Sequence, residues 1–412
     1  MLENVFSADR RGGLFGSHLD SFVAAGVHLG YARSTVQQQL RLLGNLERWL
    51  NAKRLALDDL QEQEVHRFLE KRRRQGRLWR GDARTAWRFL EYLREKGAIP
   101  SPEPTVDESP LAALQRRYEN HLHKERGLSP VTIAKYWHFL RNFLVERLGD
   151  TPNSFVRLRE LVPGDISDFL LRFVRSGNSG RARRITTALR SFFRFLFQHG
   201  ETGVDLTGAV PTVPAYRLVE VPKYLTQAEV ARVVRACERK TAVARRDRAI
   251  ILLLARLGLR AGEVLALELD DIDWRTGVLT VRGKGGYHDL LPLPADVGKA
   301  MATYLRQDRP CCTTRRIFIR SSAPYDGFSH TSTISTIVRH ALARAGLQSN
   351  LTGAHILRHS LATGMLRSGA SLGEIGEILR HRTPSSTEIY AKVDINGLRS
   401  LALPWPTKGG ER

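Results

Sequence analysis

What the chain lacks narrows it first. Its longest uninterrupted apolar run, Ala249 to Ala255, is seven residues, far short of the roughly 20 that a membrane-spanning helix needs. The first residues, MLENVFSADRRGG, carry no apolar signal-peptide core, so the expected location is the cytoplasm. Cysteine is scarce: Cys237, Cys311 and Cys312 have neither the count nor the spacing of a disulfide framework or a zinc site. All three read as structural. Acidic residues are outnumbered, 42 Asp plus Glu against 64 Lys plus Arg, for a net charge of +22. Because the surplus is spread along the chain, the expected partner is a polyanion: nucleic acid first, a membrane surface second.

A chain of 412 residues is long enough for two or three domains, and two stretches divide it. Residues 99–110, IPSPEPTVDESP, are Pro-rich and acidic; residues 204–224, VDLTGAVPTVPAYRLVEVPKY, hold three prolines and no helical period. The first two parts resemble one another. Thr35, Leu43, Asn45 and Leu46 align with Thr132, Leu140, Asn142 and Phe143; Val65, Phe68 and Leu69 with Ile166, Phe169 and Leu170; Phe89, Tyr92, Leu93 and Gly97 with Phe192, Phe195, Leu196 and Gly200. The offset grows from 97 to 101 to 103, as small loop insertions in a duplicated module would make it. Each copy reads as about four amphipathic helices. Each also concentrates positive charge before its last helix, KRRRQGRLWR at 71–80 and RARR at 181–184, which suits a surface that follows phosphates.

The third part is different. Thr226 and Glu229 have capping-box spacing at the start of a helix, and an apolar helix follows around 246–257. VLTVR (278–282) and DLLPLP (289–294) read as strands joined by the glycine-rich turn GKGGYH, and RRIFI (315–319) as a third strand.

Four short segments, the last holding two such positions, then place polar residues where packing alone does not ask for them. In LGLRAGEVLAL, Arg260 ends an apolar helix with Glu263 one turn on. Lys284 sits at the hairpin tip, without the P-loop pattern. In AHILRHSLATG, His355 and Arg358 share a helical face and His359 adjoins them, a cluster costly to bury without an anion. In HRTPSSTEIYAKV, His381 precedes Tyr390 by nine residues, and the Ser385-x-x-Glu388 spacing predicts an N-cap that puts Tyr390 early in a helix. Each residue taken alone has an ordinary structural explanation. Together, two arginines, a lysine, two histidines and a tyrosine suit a phosphoryl transfer by side chains alone: forked donors for the phosphate oxygens, groups that move protons, and a nucleophile.

The ordered motifs GLR-x-x-E, G-K-G before an L-x-P strand, H-x-L-R-H, and L-x-H with a tyrosine nine residues on resemble those of the tyrosine recombinases, or phage integrase family, over about residues 222–400. Residues 111–203 resemble that family's helical core-binding domain by pattern. The resemblance implies that Arg260 and Arg358 bind the scissile phosphate, Lys284 protonates the departing 5′ oxygen and His355 assists proton transfer. His381 would hydrogen-bond the phosphate, Glu263 would support Arg260, and Tyr390 would form a 3′-phosphotyrosyl link, with no metal or cofactor. Two positions depart from the family pattern: Arg380 stands where Gly is frequent, and Lys392 where His is frequent.

The expected fold is mainly α with a small antiparallel sheet: two N-terminal helical DNA-binding bundles and an α+β catalytic domain. Its boundaries are 1–98, a 99–110 linker, 111–203, a 204–221 linker, 222–400, and a tail, 401–412, whose Leu401, Leu403 and Trp405 could dock on a neighbouring protomer. The expected partners are double-stranded DNA and further copies of the chain, a tetramer on DNA, with sister recombinases left open. The rival readings are a type IB topoisomerase and a non-catalytic DNA-binding protein.

Overall fold

The computed structural model describes residues 13–101, 107, 109–148, 158, 160–175, 179–213, 222–283, 286–347 and 353–393. Lys284 and the tail lie outside the described residues. By its contacts the chain divides into two units, residues 1–101 with 220–412, and residues 102–219.

Both N-terminal stretches are four-helix modules. The first has α1 (Gly16–His28), α2 (Arg33–Ala52), α3 (Glu62–Arg74) and α4 (Asp82–Glu95). The second has α5 (Pro110–Lys124), α6 (Pro130–Leu148), α7 (Pro163–Arg175) and α8 (Ser179–Gln198). Ser109 caps α5 by accepting from the Ala112 N–H, with Pro110 in the first turn, where its missing N–H costs nothing. The aligned apolar residues fill equivalent core positions: Leu43, Leu46, Val65, Phe89 and Leu93 in one core, Leu140, Phe143, Ile166, Phe192 and Leu196 in the other, all fully buried. The aligned glycines agree in backbone as well. Gly97 and Gly200 end their modules' last helices at φ 67° and 68°, left-handed values that glycine adopts without a Cβ clash. The RARR stretch lies inside the first turns of α8 rather than before it: the helix begins at Ser179, and Gly180 falls in its first turn, where it does not interrupt the residues that follow.

The remaining helices are α9 (Gln227–Arg235), α10 (Ala242–Arg256), α11 (Ala261–Ala266), α12 (Ala295–Gln307), α13 (Thr331–Arg344), α14 (His355–Arg367) and α15 (Leu372–Ile378). The Thr226 capping box forms with both reciprocal hydrogen bonds. Helix α10 supplies an unbroken buried stretch from Ala249 to Ala255, which explains the longest apolar run: it is the centre of this part's core.

The sheet is antiparallel in the order β1 (Ile272–Asp273), β2 (Val278–Arg282), β3 (His288–Pro292), with Thr280 opposite Leu290 and Arg282 opposite His288. RRIFI is not its third strand. Ile317, Phe318 and Ile319 are all buried, and the segment pairs with a loop through Ile317 N–H to the Leu267 carbonyl at 2.9 Å and an isolated bridge between Glu268 and Arg316. Apolar contact on both sides of it replaces the alternation of a half-covered strand. The third strand is instead the two-residue Ile272–Asp273, too short to show a period. Of the cysteines only Cys237 is in the core; Cys311 is exposed and Cys312 half-buried.

Candidate active site

The site forms where the ends of α10 and α15 meet the start of α14. Gly258 follows α10 at φ 58°, and a Cβ there would come within 2.6 Å of the Leu379 side chain. Only glycine makes this turn without displacing Leu379. The turn presents the Gly258 carbonyl to Arg358, whose guanidinium donates to it and to the Leu379 carbonyl. Arg358 is 4% exposed, and burial, reinforced by the charges of Arg260 and Arg380, pushes its pKa down to about 10. It stays cationic at neutral pH, with unmet demand for negative charge.

Arg260 is the N-cap residue of α11. Its backbone N–H donates to Glu263 Oε2 at 2.9 Å and its Nη1 to Glu263 Oε1 at 2.5 Å, while Nη2 reaches the Arg380 carbonyl at 3.3 Å. Glu263 is 6% exposed. Burial alone would raise its pKa, but hydrogen bonds from Arg260 and the charge of Arg380 more than offset this and leave the carboxyl below its usual range. It is a buried carboxylate shared by two arginines.

Tyr390 is 1% exposed. Its hydroxyl lies 2.9 Å from His359 Nδ1, and its ring is parallel to that of His381, centroids 6.4 Å apart. His381 Nδ1 is in turn 2.7 Å from Thr387 Oγ1. Burial raises the Tyr390 pKa, while Arg358 and Arg260 act to lower it. The tyrosine rides on a 3-10 turn, Glu388–Val393, not the expected Ser385-capped helix. Thr383 takes the N-cap position of a separate 3-10 turn, Pro384–Ser386, because a proline pre-set for the first helical position puts the cap one residue before it.

Of the six sequence candidates, Arg260, Arg358, His381 and Tyr390 come together. His355 opens α14 on the exposed side, its ring 6.4 Å from that of His359. Sequence reasoning noted His359 beside Arg358 without giving it a role; its spacing of four from His355 was the available signal. Among the described residues, the one group of three with the spacing of metal ligands is His121, Glu125 and His199, in the second helical module.

Both half-buried imidazoles, His359 and His381, are pushed down to about 4. Burial is the main cause for each, followed by His355 and Arg358 for His359, and by Arg358, Arg260, Arg380 and His359 for His381. The unfolded chain takes up these protons near pH 6.5 and the folded chain only near 4, so their contribution to stability is complete above about 6.5 and is lost as pH falls toward 4. The thermal midpoint should drop over that window, and drop less in His359→Asn. A midpoint equally pH-dependent in both proteins would contradict the assignment.

Two family models match the chain: the phage integrase family over residues 223–396 and the phage integrase N-terminal SAM-like domain over residues 116–200. A putative integrase/recombinase of Sinorhizobium fredii, y4rA, is 44% identical over 92% of each chain. The tyrosine recombinase XerD of Mycobacterium tuberculosis is 31% identical over 71% of this chain and 96% of that one. Among solved structures, XerH site-specific recombinase bound to its palindromic difH substrate shares the fold, with a TM-score of 0.56 at 20% identity over 78% of this chain and 94% of that one. None of these supports a type IB topoisomerase or a non-catalytic binder. The chain belongs to the phage integrase family and is a tyrosine-type site-specific recombinase.

Proposed function

We propose that Tyr390 is the nucleophile and that Arg260 and Arg358 hold the scissile phosphate of duplex DNA. The observation that carries this reading is the 2.9 Å contact between the Tyr390 hydroxyl and His359 Nδ1. With its pKa near 4, His359 is a neutral imidazole that accepts a hydrogen bond from the phenol; too weak a base to hold the proton beforehand, it takes it only as the bond to phosphorus forms and the phenolic oxygen loses its own hold on it. As the bond from Tyr390 Oη to phosphorus forms, the bond to the 5′ oxygen breaks, and that oxygen takes a proton from Lys284 with His355 assisting. The two guanidinium groups meet the charge that builds on the non-bridging oxygens, and His381 adds a hydrogen bond to it. The phosphotyrosyl link keeps the bond energy for rejoining. Because Tyr390 is buried, DNA reaches its oxygen only after residues 383–393 shift, and 3-10 turns with few backbone bonds give way more readily than an α-helix.

The family resemblance supports four protomers around two duplexes exchanging strands in pairs, with the element integrated, excised or transposed; sister recombinases would be further partners. The cleavage test uses full-length chain and a duplex selected from a random pool, nicked at successive positions. Covalent protein on a denaturing gel is expected at one nick position; its absence at every position would remove the reading.

The two helical modules extend the footprint in this reading. Each has a groove at the same place, one lined by Thr35, Gln38, Arg41, Arg72 and Trp79, the other by Thr132, Lys135, His138, Arg181 and Arg184. Trp79 is 72% exposed beside basic residues, which suits backbone tracking. The double variant Arg41→Ala, Trp79→Ala should shorten the DNase footprint on one flank and reduce the salt dependence of binding by about one phosphate contact. Cleavage of nicked duplex should persist. An unchanged footprint would point to protein contacts instead.

A further inference from the structure

Arg380 is one of the two departures from the family pattern, and the mechanism above leaves it unused. Its backbone is left-handed, φ 55°, a conformation that glycine takes freely and a residue with a Cβ takes at a cost. Its side chain is nevertheless 7% exposed and heavily engaged. Nη2 donates to Glu263 Oε2 at 3.0 Å, and Nη1 reaches the carbonyls of Ile378 at 3.2 Å and Leu257 at 3.4 Å. Nε is buried without a hydrogen bond, 3.8 Å from Asp289 Oδ2.

The backbone of the same turn is held from three sides. The Leu379 carbonyl accepts from Arg358 and the Arg380 carbonyl from Arg260, while the N–H of His381 donates to the Gly376 carbonyl at 2.8 Å. One short turn thus contacts both phosphate-binding arginines and carries a histidine of the site. The Arg380 side chain ties that turn back to Glu263, the carboxylate that also anchors Arg260.

We propose that Arg380 is a positioning residue for strand cleavage: by bridging Glu263 to the 379–381 turn, it fixes Arg260, Arg358 and His381 relative to one another before DNA arrives. This rests on the active-site reading above. The device has a directional consequence. Glycine at this position keeps the turn's backbone path and removes its cost, yet frees the turn from Glu263, so the turn should still form but no longer be held against the carboxylate that anchors Arg260.

The test compares wild type, Arg380→Gly and Arg380→Lys in the full-length chain. On the nicked duplex, at a temperature where both proteins are folded, Arg380→Gly should bind with unchanged affinity but form the covalent link about 10–100-fold more slowly. Lysine, a point charge without the fork, should recover part of that rate, and guanidinium added to the glycine variant should recover part as well. Without DNA, histidine ring NMR should find His381 titrating at higher pH in Arg380→Gly, because a neighbouring positive charge has gone. A wild-type cleavage rate in Arg380→Gly, or a His381 titration that does not move, overturns the proposal. If wild type itself makes no link while His381 still moves, the cleavage reading fails and the positioning role stands.

Discussion

Tyr390→Phe is expected to bind DNA as wild type does and to form no covalent link at all. The change removes one oxygen, the only group at that position able to attack phosphorus. The Phe ring keeps the packing of Tyr390 with Ala362, Ile375 and Leu379, so the fold should survive. What is lost structurally is one hydrogen bond to His359, worth about 0.5–1.5 kcal/mol. A denaturing gel of nicked duplex reads the outcome: no shifted band for the variant, with equal gel retardation under native conditions. A shifted band from Tyr390→Phe would assign the nucleophile elsewhere.

Glu263→Gln is expected to be the most destabilising single change in the site. The carboxylate is buried between Arg260 and Arg380, 2.5 Å and 3.0 Å from their guanidinium nitrogens. An amide of the same shape can accept from one arginine but turns its own N–H groups toward the other. Breaking one partner of a buried ion pair costs about 3–5 kcal/mol; the Arg380 pair is of that kind, while Arg260, whose side chain is 39% exposed, adds less. Urea unfolding should report a midpoint shifted to lower concentration with an unchanged slope, and covalent-link formation should slow because Arg260 loses its anchor. A loss below about 1 kcal/mol, the range of exposed pairs, would mean that Glu263 is not the hub described.

Much of the site is legible in the sequence because its chemistry demands particular residue types in a set order. Arg260, Arg358, His381 and Tyr390 are each unremarkable alone, and their joint occurrence is what marks them. Glu263 is legible too, since a carboxylate three residues after an arginine at a helix start can reach back to it. The hairpin and the Thr226 capping box follow from local rules that tertiary packing did not override.

The misreadings have physical causes. RRIFI has a strand's composition, but it is buried on both sides against a loop, and local pattern does not distinguish that from a sheet strand. Ser385 fits the cap spacing of a helix carrying Tyr390, but Pro384 makes Thr383 the N-cap of a separate turn and leaves Tyr390 on the next one. The role of His359 depends on Tyr390 folding back onto α14, a contact 31 residues distant in sequence. Arg380 was visible as a departure, but its significance needs a dihedral angle and the two carbonyls that flank it.

The most direct measurement of the central claim is mass spectrometry of the trapped wild-type adduct after nuclease trimming and trypsin digestion. Cleavage after Arg382 and Lys392 releases TPSSTEIYAK, residues 383–392, in which Tyr390 is the single tyrosine. The account predicts that this peptide carries a nucleotide remnant, localised by fragmentation to Tyr390. A remnant on any other residue, or a covalent complex that yields this peptide unmodified, would contradict it.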